Sequence, residues 1–267
     1  MDNRAIGVFD SGLGGLTVVK ELQKILPKES IIYFGDTGRV PYGSKSDATI
    51  SKYVSEIFGF LSEKNVKAVV SACGTASSVI MKQNLLPKEE LFTGVVVPAC
   101  LAALEKTKNR RIGIIGTKAT VNSGAYAEFI NRMADDVEVF SLACPLFVPL
   151  VENGMFDEGN EITSLSVKQY LSYFKDKNID TLILGCTHYP LLSSFISKEM
   201  GDGVTLIDSG KETANLIKKM LEKNDMLSEE AEASYEYYVS DSIEDFSENG
   251  ERFLGRKIKE NLYKKVF

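Results

Sequence analysis

The run Val69-Val70-Ser71-Ala72-Cys73-Gly74-Thr75-Ala76-Ser77 has a counterpart much later in the chain, Leu182-Ile183-Leu184-Gly185-Cys186-Thr187-His188-Tyr189-Pro190. Each is a short apolar stretch, then a small residue, then a cysteine, with a threonine one or two positions on. An apolar run bounded by small and turn-forming residues reads as a buried strand. Each cysteine therefore stands where a strand gives way to a loop. In open parallel sheets that edge is where ligands bind. Two thiols presented alike by two halves of one chain point to a single site with a sulfur on each side.

Working outward, Ala5-Ile6-Gly7-Val8-Phe9 reads as a first strand, followed by the tight loop Asp10-Ser11-Gly12-Leu13-Gly14-Gly15 and a helix over 16–26. Ile31-Ile32-Tyr33-Phe34 is a second strand, and the turn-rich loop 35–43 follows it. An amphipathic helix over 47–64 leads to the third strand, 66–71. A helix from about Ser77 then leads to a fourth, Gly94-Val95-Val96-Val97-Pro98. The pattern begins again with Gly113 over Gly7: Arg111-Ile112-Gly113-Ile114-Ile115-Gly116 matches the first strand, and Val137-Glu138-Val139-Phe140 matches the second at the same offset. Residues 181–185 fall over the third strand, with Cys186 over Cys73, and 204–207 over the fourth. One long unit is duplicated, which is not a short solenoid repeat. Strands alternating with helices imply parallel sheets. The expected fold is α/β: two similar, pseudo-symmetric domains, each with a mainly parallel sheet flanked by helices, and the active site between them. Residues 211–223 read as a further helix, 233–240 as a strand, and 246–267 as a charged helical tail packing back on the first domain. The expected domains are 1–97 plus 209–267, and 98–208.

The 267 residues, 44% apolar and 25% charged, have the composition of an ordinary globular protein. A net charge of -6 with no basic stripe argues against nucleic acid. No run approaches the length of a membrane span, and the N-terminus lacks the pattern of a signal peptide, so a cytoplasmic location is expected. Cys73, Cys100, Cys144 and Cys186 form no C-x-x-C pair, and a single histidine, His188, cannot build a multi-histidine metal site. Reduced thiols and no metal are expected. Cys100 and Cys144 read as buried packing residues.

A thiol at a helix N-terminus is expected to have a lowered pKa and to supply thiolate. Facing thiols suit a disulfide oxidoreductase, although those pair nearby cysteines. They also suit racemisation or epimerisation beside a carboxylate, where a thiolate takes a proton from one face and a thiol returns one to the other. The glycine-rich loop lacks the Gly-Lys-Ser/Thr ending of a phosphate loop, and the third glycine of a dinucleotide fingerprint would fall at Thr17. It remains a tight turn or a row of backbone N–H groups for a carboxylate. Asp10 reads as a partner for an amine or thiol, or as a helix cap. Asp36 and Arg39 carry similar dual readings. His188 is placed to protonate, orient or activate Cys186, and Glu152 is a candidate partner for it.

The chain resembles the glutamate racemases of the cofactor-independent aspartate/glutamate racemase group over nearly its whole length. The carriers are residues 9–15, Gly35-Asp36-Thr37 with Pro41-Tyr42-Gly43, Ala72-Cys73-x-Thr75-Ala76, Val148-Pro149-Leu150-Val151-Glu152, residues 185–190, and Ile207-Asp208-Ser209-Gly210. The resemblance implies that Cys73 and Cys186 are the two acid/base residues, supported by Asp10 and by His188, with Glu152 behind His188. It implies substrate contacts from Asp10, Ser11, Tyr42, Gly43, Gly74, Thr75, Thr187 and His188. The substrate would be glutamate and the product D-glutamate for peptidoglycan, with no cofactor; the expected assembly is a homodimer. The rivals are a racemase for aspartate or another acidic amino acid, and a non-catalytic protein that binds an acidic ligand on the same fold. One departure stands out: where the family usually has asparagine after the first cysteine, this chain has Gly74. The expectation is that Gly74→Asn keeps or improves turnover.

Overall fold

The computed structural model describes residues 1–87, 90–258 and 261–267. Its strands are β1 (Ile6–Asp10), β2 (Ile31–Gly35), β3 (Ala68–Ser71), β4 (Leu91–Gly94), β5 (Arg111–Gly116), β6 (Glu138–Ala143), β7 (Thr181–Leu184), β8 (Thr205–Asp208), β9 (Tyr235–Val239) and β10 (Leu262–Lys264). They form two sheets, one in the order β10-β9-β2-β1-β3-β4 and the other β6-β5-β7-β8. Every pairing is parallel. The inner order β2-β1-β3-β4 is repeated as β6-β5-β7-β8, so the internal duplication read from the sequence is present in the strand order. β1, β2 and β3 are buried at every position, as sheets covered by helices on both faces require.

The C-terminal segment returns to the first sheet, where β9 lies beside β2 and β10 beside β9. Between β8 and β9, the helix Ser209–Lys223 buries Ala214, Ile217 and Leu221.

Three elements differ from the sequence reading. The fourth strand is Leu91–Gly94, and Val95-Val96-Val97-Pro98 instead opens the helix Val96–Lys106. A short apolar run fits either element by periodicity alone. Pro98 lies in the first helical turn, where the missing N–H costs no intrahelical bond. The tail is not one helix. The helix Ile243–Leu254 stops at Gly255, whose φ of +77° is the left-handed conformation that ends helices, and β10 follows. Lys259 and Glu260, within the stretch read as helical, lie outside the described residues. The helix expected from about Ser77 begins earlier, at Gly74.

Candidate active site

A cavity of about 480 Å³ opens between the carboxyl edges of the two sheets. The first half contributes Asp10, Ser11 and Gly12 after β1, the loop 40–44 after β2, and Cys73, Gly74 and Thr75 after β3. The second half answers with Thr117, Lys118 and Thr120 after β5, Cys144, Pro145, Val148, Pro149 and Glu152 after β6, and residues 185–188 after β7. Every acid/base and substrate-contacting residue implied by the resemblance lines this cavity. Thr117, Lys118 and Thr120 were missed, although the duplication puts Thr117 over Ser11 and so marks them.

Cys73 sits two residues beyond β3 and caps the helix Gly74–Gln83, its sulfur accepting from the Ala76 N–H at 3.5 Å. It also contacts Ser11 Oγ at 3.6 Å. The expected lowering of its pKa is not found. Burial and the neighbouring Asp10 carboxylate push the thiol up to about 12, outweighing the donors at Ala76 and Ser11. Desolvation of a thiolate here exceeds what one helix end returns.

Cys186 follows β7, its sulfur 3.8 Å from His188 Nδ1. Nε2 of the same ring lies 3.1 Å from Glu152 Oε1, so the structure joins Glu152 to His188. Burial opposes charge on this imidazole, but the Cys186 sulfur and the Glu152 carboxylate more than offset it, and the group is raised to about 10. Phe253 packs edge-on against the ring at 5.4 Å. Across the cavity, burial raises the Asp10 carboxyl; the charge of His188 and the N–H groups of Gly15, Gly12 and Ser11 pull the other way.

Those N–H groups correct the reading of the glycine-rich loop as an anion cradle. The Gly12 N–H is given to Asp10 Oδ2 at 3.1 Å. Nor is Asp10 a helix cap, because the helix Leu16–Ile25 begins at Gly15 without a side-chain cap. Gly14 is required by close approach: a Cβ there would stand 2.2 Å from Thr187 Oγ1 and 2.6 Å from the His188 ring. Thr17 Oγ1 donates to the Thr187 carbonyl at 2.9 Å beside it. This loop is a bearing surface for the opposite half.

Asp36 and Arg39 resolve as scaffold. The fully buried Asp36 accepts from Tyr42 OH at 2.6 Å, from Arg39 Nε at 2.6 Å and from Ser240 Oγ at 2.8 Å. Arg39 also pairs with Glu56 and lies over the Tyr53 ring. Together they hold the loop that carries Tyr42 and Gly43 to the cavity.

On the facing wall, Thr75 Oγ1 is 3.4 Å from both Thr117 Oγ1 and Thr120 Oγ1. Cys100 is fully buried and points at the Tyr126 carbonyl. Cys144 is equally buried but forms part of the cavity wall.

Gly74 lines the cavity, as expected, and stands against the opposite half. A Cβ at this position would meet the Gly185 carbonyl oxygen at 2.7 Å. Asparagine at this position therefore requires a shift of one of the two backbone segments.

Among the described residues no three of His, Cys, Asp or Glu stand together so as to hold a metal ion. Nor, among them, is any helix long and apolar enough to cross a membrane.

The family model for Asp/Glu/hydantoin racemases matches residues 6–217. A glutamate racemase of Geobacter metallireducens is 45% identical over 96% of this chain and 94% of its own length. The crystal structure of the Francisella tularensis glutamate racemase in complex with D-glutamate is 40% identical, covers 100% of this chain and 98% of that one, and has a TM-score of 0.89. A glutamate racemase isoform of Bacillus anthracis, RacE1, gives a TM-score of 0.92 at 38% identity, over 100% and 98% of the two chains. The chain belongs to the Asp/Glu/hydantoin racemase family and, within it, to the glutamate racemases.

Proposed function

We propose that this chain interconverts L-glutamate and D-glutamate by cofactor-independent proton transfer between two sulfurs, supplying D-glutamate for peptidoglycan. The observation that carries the reading is one cavity with a sulfur from each half: Cys73 after β3 and Cys186 after β7. Each has its own polar support, Ser11 and Asp10 on one side, His188 and Glu152 on the other.

One sulfur must start each turnover as thiol and the other as thiolate. In one direction Cys73, whose thiol form is favoured by burial and by the Asp10 carboxylate, takes the acid role, and Cys186 takes the base. The Cys186 thiolate removes the Cα proton from one face of the substrate: the C–H bond breaks, an S–H bond forms, and the electron pair stays on carbon and its carboxylate. The Cys73 thiol then gives its proton to the other face and becomes the thiolate. The reverse direction exchanges the two roles. His188, charged well above neutral pH, stabilises negative charge beside Cys186 and at the substrate.

The N–H groups of Gly74 and Thr75, in the first turn of a ten-residue helix, are donors for a carboxylate. Ser11, Tyr42, Gly43, Thr75 and Thr187 complete the substrate contacts, and Asp10 receives the ammonium group. The domains of this proposal are 1–97 plus 209–267, and 98–208; the return of β9 and β10 to the first sheet supports the discontinuous one. A cytoplasmic homodimer is the expected form, and sedimentation of the purified chain tests the assembly.

The test of function is polarimetry of L-glutamate and L-aspartate with reduced protein and no added cofactor. Loss of rotation with glutamate at a much higher kcat/KM than with aspartate supports the reading. A preference for aspartate replaces it with the related racemase, and inactivity towards both replaces it with an acidic-ligand binder.

A further inference from the structure

Arg39 immediately precedes the loop 40–44, every residue of which lines the cavity. Two of its guanidinium nitrogens are held by carboxylates: Nε donates to Asp36 Oδ2 at 2.6 Å, and Nη1 donates to Glu56. The third, Nη2, is buried and has no acceptor among the described residues. What covers the cation there is aromatic. Its Cζ lies 4.0 Å from the centre of the Tyr53 ring and 5.2 Å from that of Phe267. Tyr53 belongs to the helix Asp47–Glu63, which also carries Glu56. Phe267 arrives from the other end of the chain, three residues beyond β10.

Phe267 is seated by backbone and by rings. The Lys265 N–H donates to the Val239 carbonyl at 2.8 Å, which continues the attachment of this segment to β9. The Phe267 ring then packs edge-on against Phe34 of β2 at 5.3 Å and against Phe60 at 6.3 Å. It stays half exposed, so it fills no core volume. A ring face beside a partly buried cation attracts it electrostatically, and the attraction grows as water is excluded.

We infer that Phe267 is a positioning residue for substrate binding, acting through Arg39: its ring holds the guanidinium on Asp36, whose carboxylate also accepts from Tyr42 OH at 2.6 Å. The inference rests on the reading above, in which Tyr42 and Gly43 contact glutamate. A long arginine side chain has many rotamers to lose, and each contact that fixes it also fixes the start of the loop. The returning segment thus governs a substrate loop that it does not itself join in the cavity. This loop carries neither sulfur. Loosening it weakens contacts shared by ground state and transition state, which raises KM and leaves kcat.

The experiment measures racemisation of L-glutamate by circular dichroism for wild type, Phe267→Ala, Phe267→Leu and Phe267→Tyr. A second set compares Arg39→Met with the double variant Arg39→Met, Phe267→Ala. Leucine keeps apolar bulk and removes the ring face, whereas tyrosine keeps the ring face. The expected result is a KM raised roughly twofold to fivefold by alanine and by leucine, with kcat within about twofold of wild type. Tyrosine restores the wild-type KM, and alanine adds nothing in the Arg39→Met background. KM does not depend on how much of a preparation is folded, so a partly unfolded variant still reports it. An unchanged KM in Phe267→Ala overturns the inference. So does a leucine variant equal to wild type, because the ring then serves only as apolar packing. An equal rise in KM with and without Arg39 overturns it too, since Phe267 then acts by another route. A wild-type protein that does not invert glutamate overturns the functional reading itself and the inference with it.

Discussion

The residue at which chemistry and environment meet most closely is His188, which lies between Cys186 and Glu152. Its raised pKa means that the imidazolium persists to about pH 10. Stability from this charge is fully present below the ordinary value of 6.5 and is lost as pH rises through about 10. Replacing Glu152 with Gln removes one stabiliser of the imidazolium, so the alkaline limb of the kcat profile moves towards neutral pH; a pH–rate series checks it. Cys73→Ser and Cys186→Ser each place a far weaker acid in the pair. Each should lower racemisation by about 10²- to 10⁴-fold, whereas one-sided exchange from a suitable substrate survives, which steady-state assays and NMR can separate. The placement of both cysteines and His188 in one cavity was legible because scarce reactive residue types recur at strand ends, and that of Asp10 because it ends the first strand ahead of a glycine-rich loop. The pKa of Cys73 was not legible, because it depends on burial and on Asp10, sixty-three positions away in sequence.

Among the elements, the loop after β2 shows how residues outside the cavity, Asp36 and Arg39, hold others that line it. Asp36 binds Tyr42, Arg39 and Ser240 through one buried carboxylate. Asp36→Ala leaves three donors without their acceptor and Arg39 with Glu56 alone. Breaking a buried charge pair costs about 3–5 kcal/mol, so Tm should fall and KM for glutamate should rise as Tyr42 and Gly43 lose their anchor. Thermal melts and steady-state kinetics read the two effects. From sequence, Asp36 and Arg39 remained ambiguous because Ser240, a main partner, arrives from the returning C-terminal segment. β4 was misplaced for a related reason. The run 91–98 is apolar nearly throughout, and only tertiary packing decides that the strand ends at Gly94 and the valines start a helix.

For the molecule as a whole, the duplication was the most legible feature, since a long repeated unit leaves strand order and site position as consequences. What the repeat could not specify was how closely its halves meet, a property of Gly14 against Thr187 and of Gly74 against Gly185. The end of the first sheet away from the cavity is fastened by Lys67, whose ammonium is wholly buried 2.6 Å from Glu29 and donates to the carbonyls of Asp2 and Met226. Lys67→Met strands the Glu29 carboxylate and should cost about 3–5 kcal/mol. Because this pair is remote from both sulfurs, a melt should show the loss while kcat of the folded protein is unchanged. The central claim, racemisation by two sulfurs from the two halves, is tested most directly by proton NMR of D-glutamate and of L-glutamate in D2O with reduced wild-type protein and no added cofactor. The account predicts loss of the Cα-proton signal from both enantiomers together with optical inversion. Inversion without incorporation of solvent deuterium, or no exchange from either enantiomer, would contradict it.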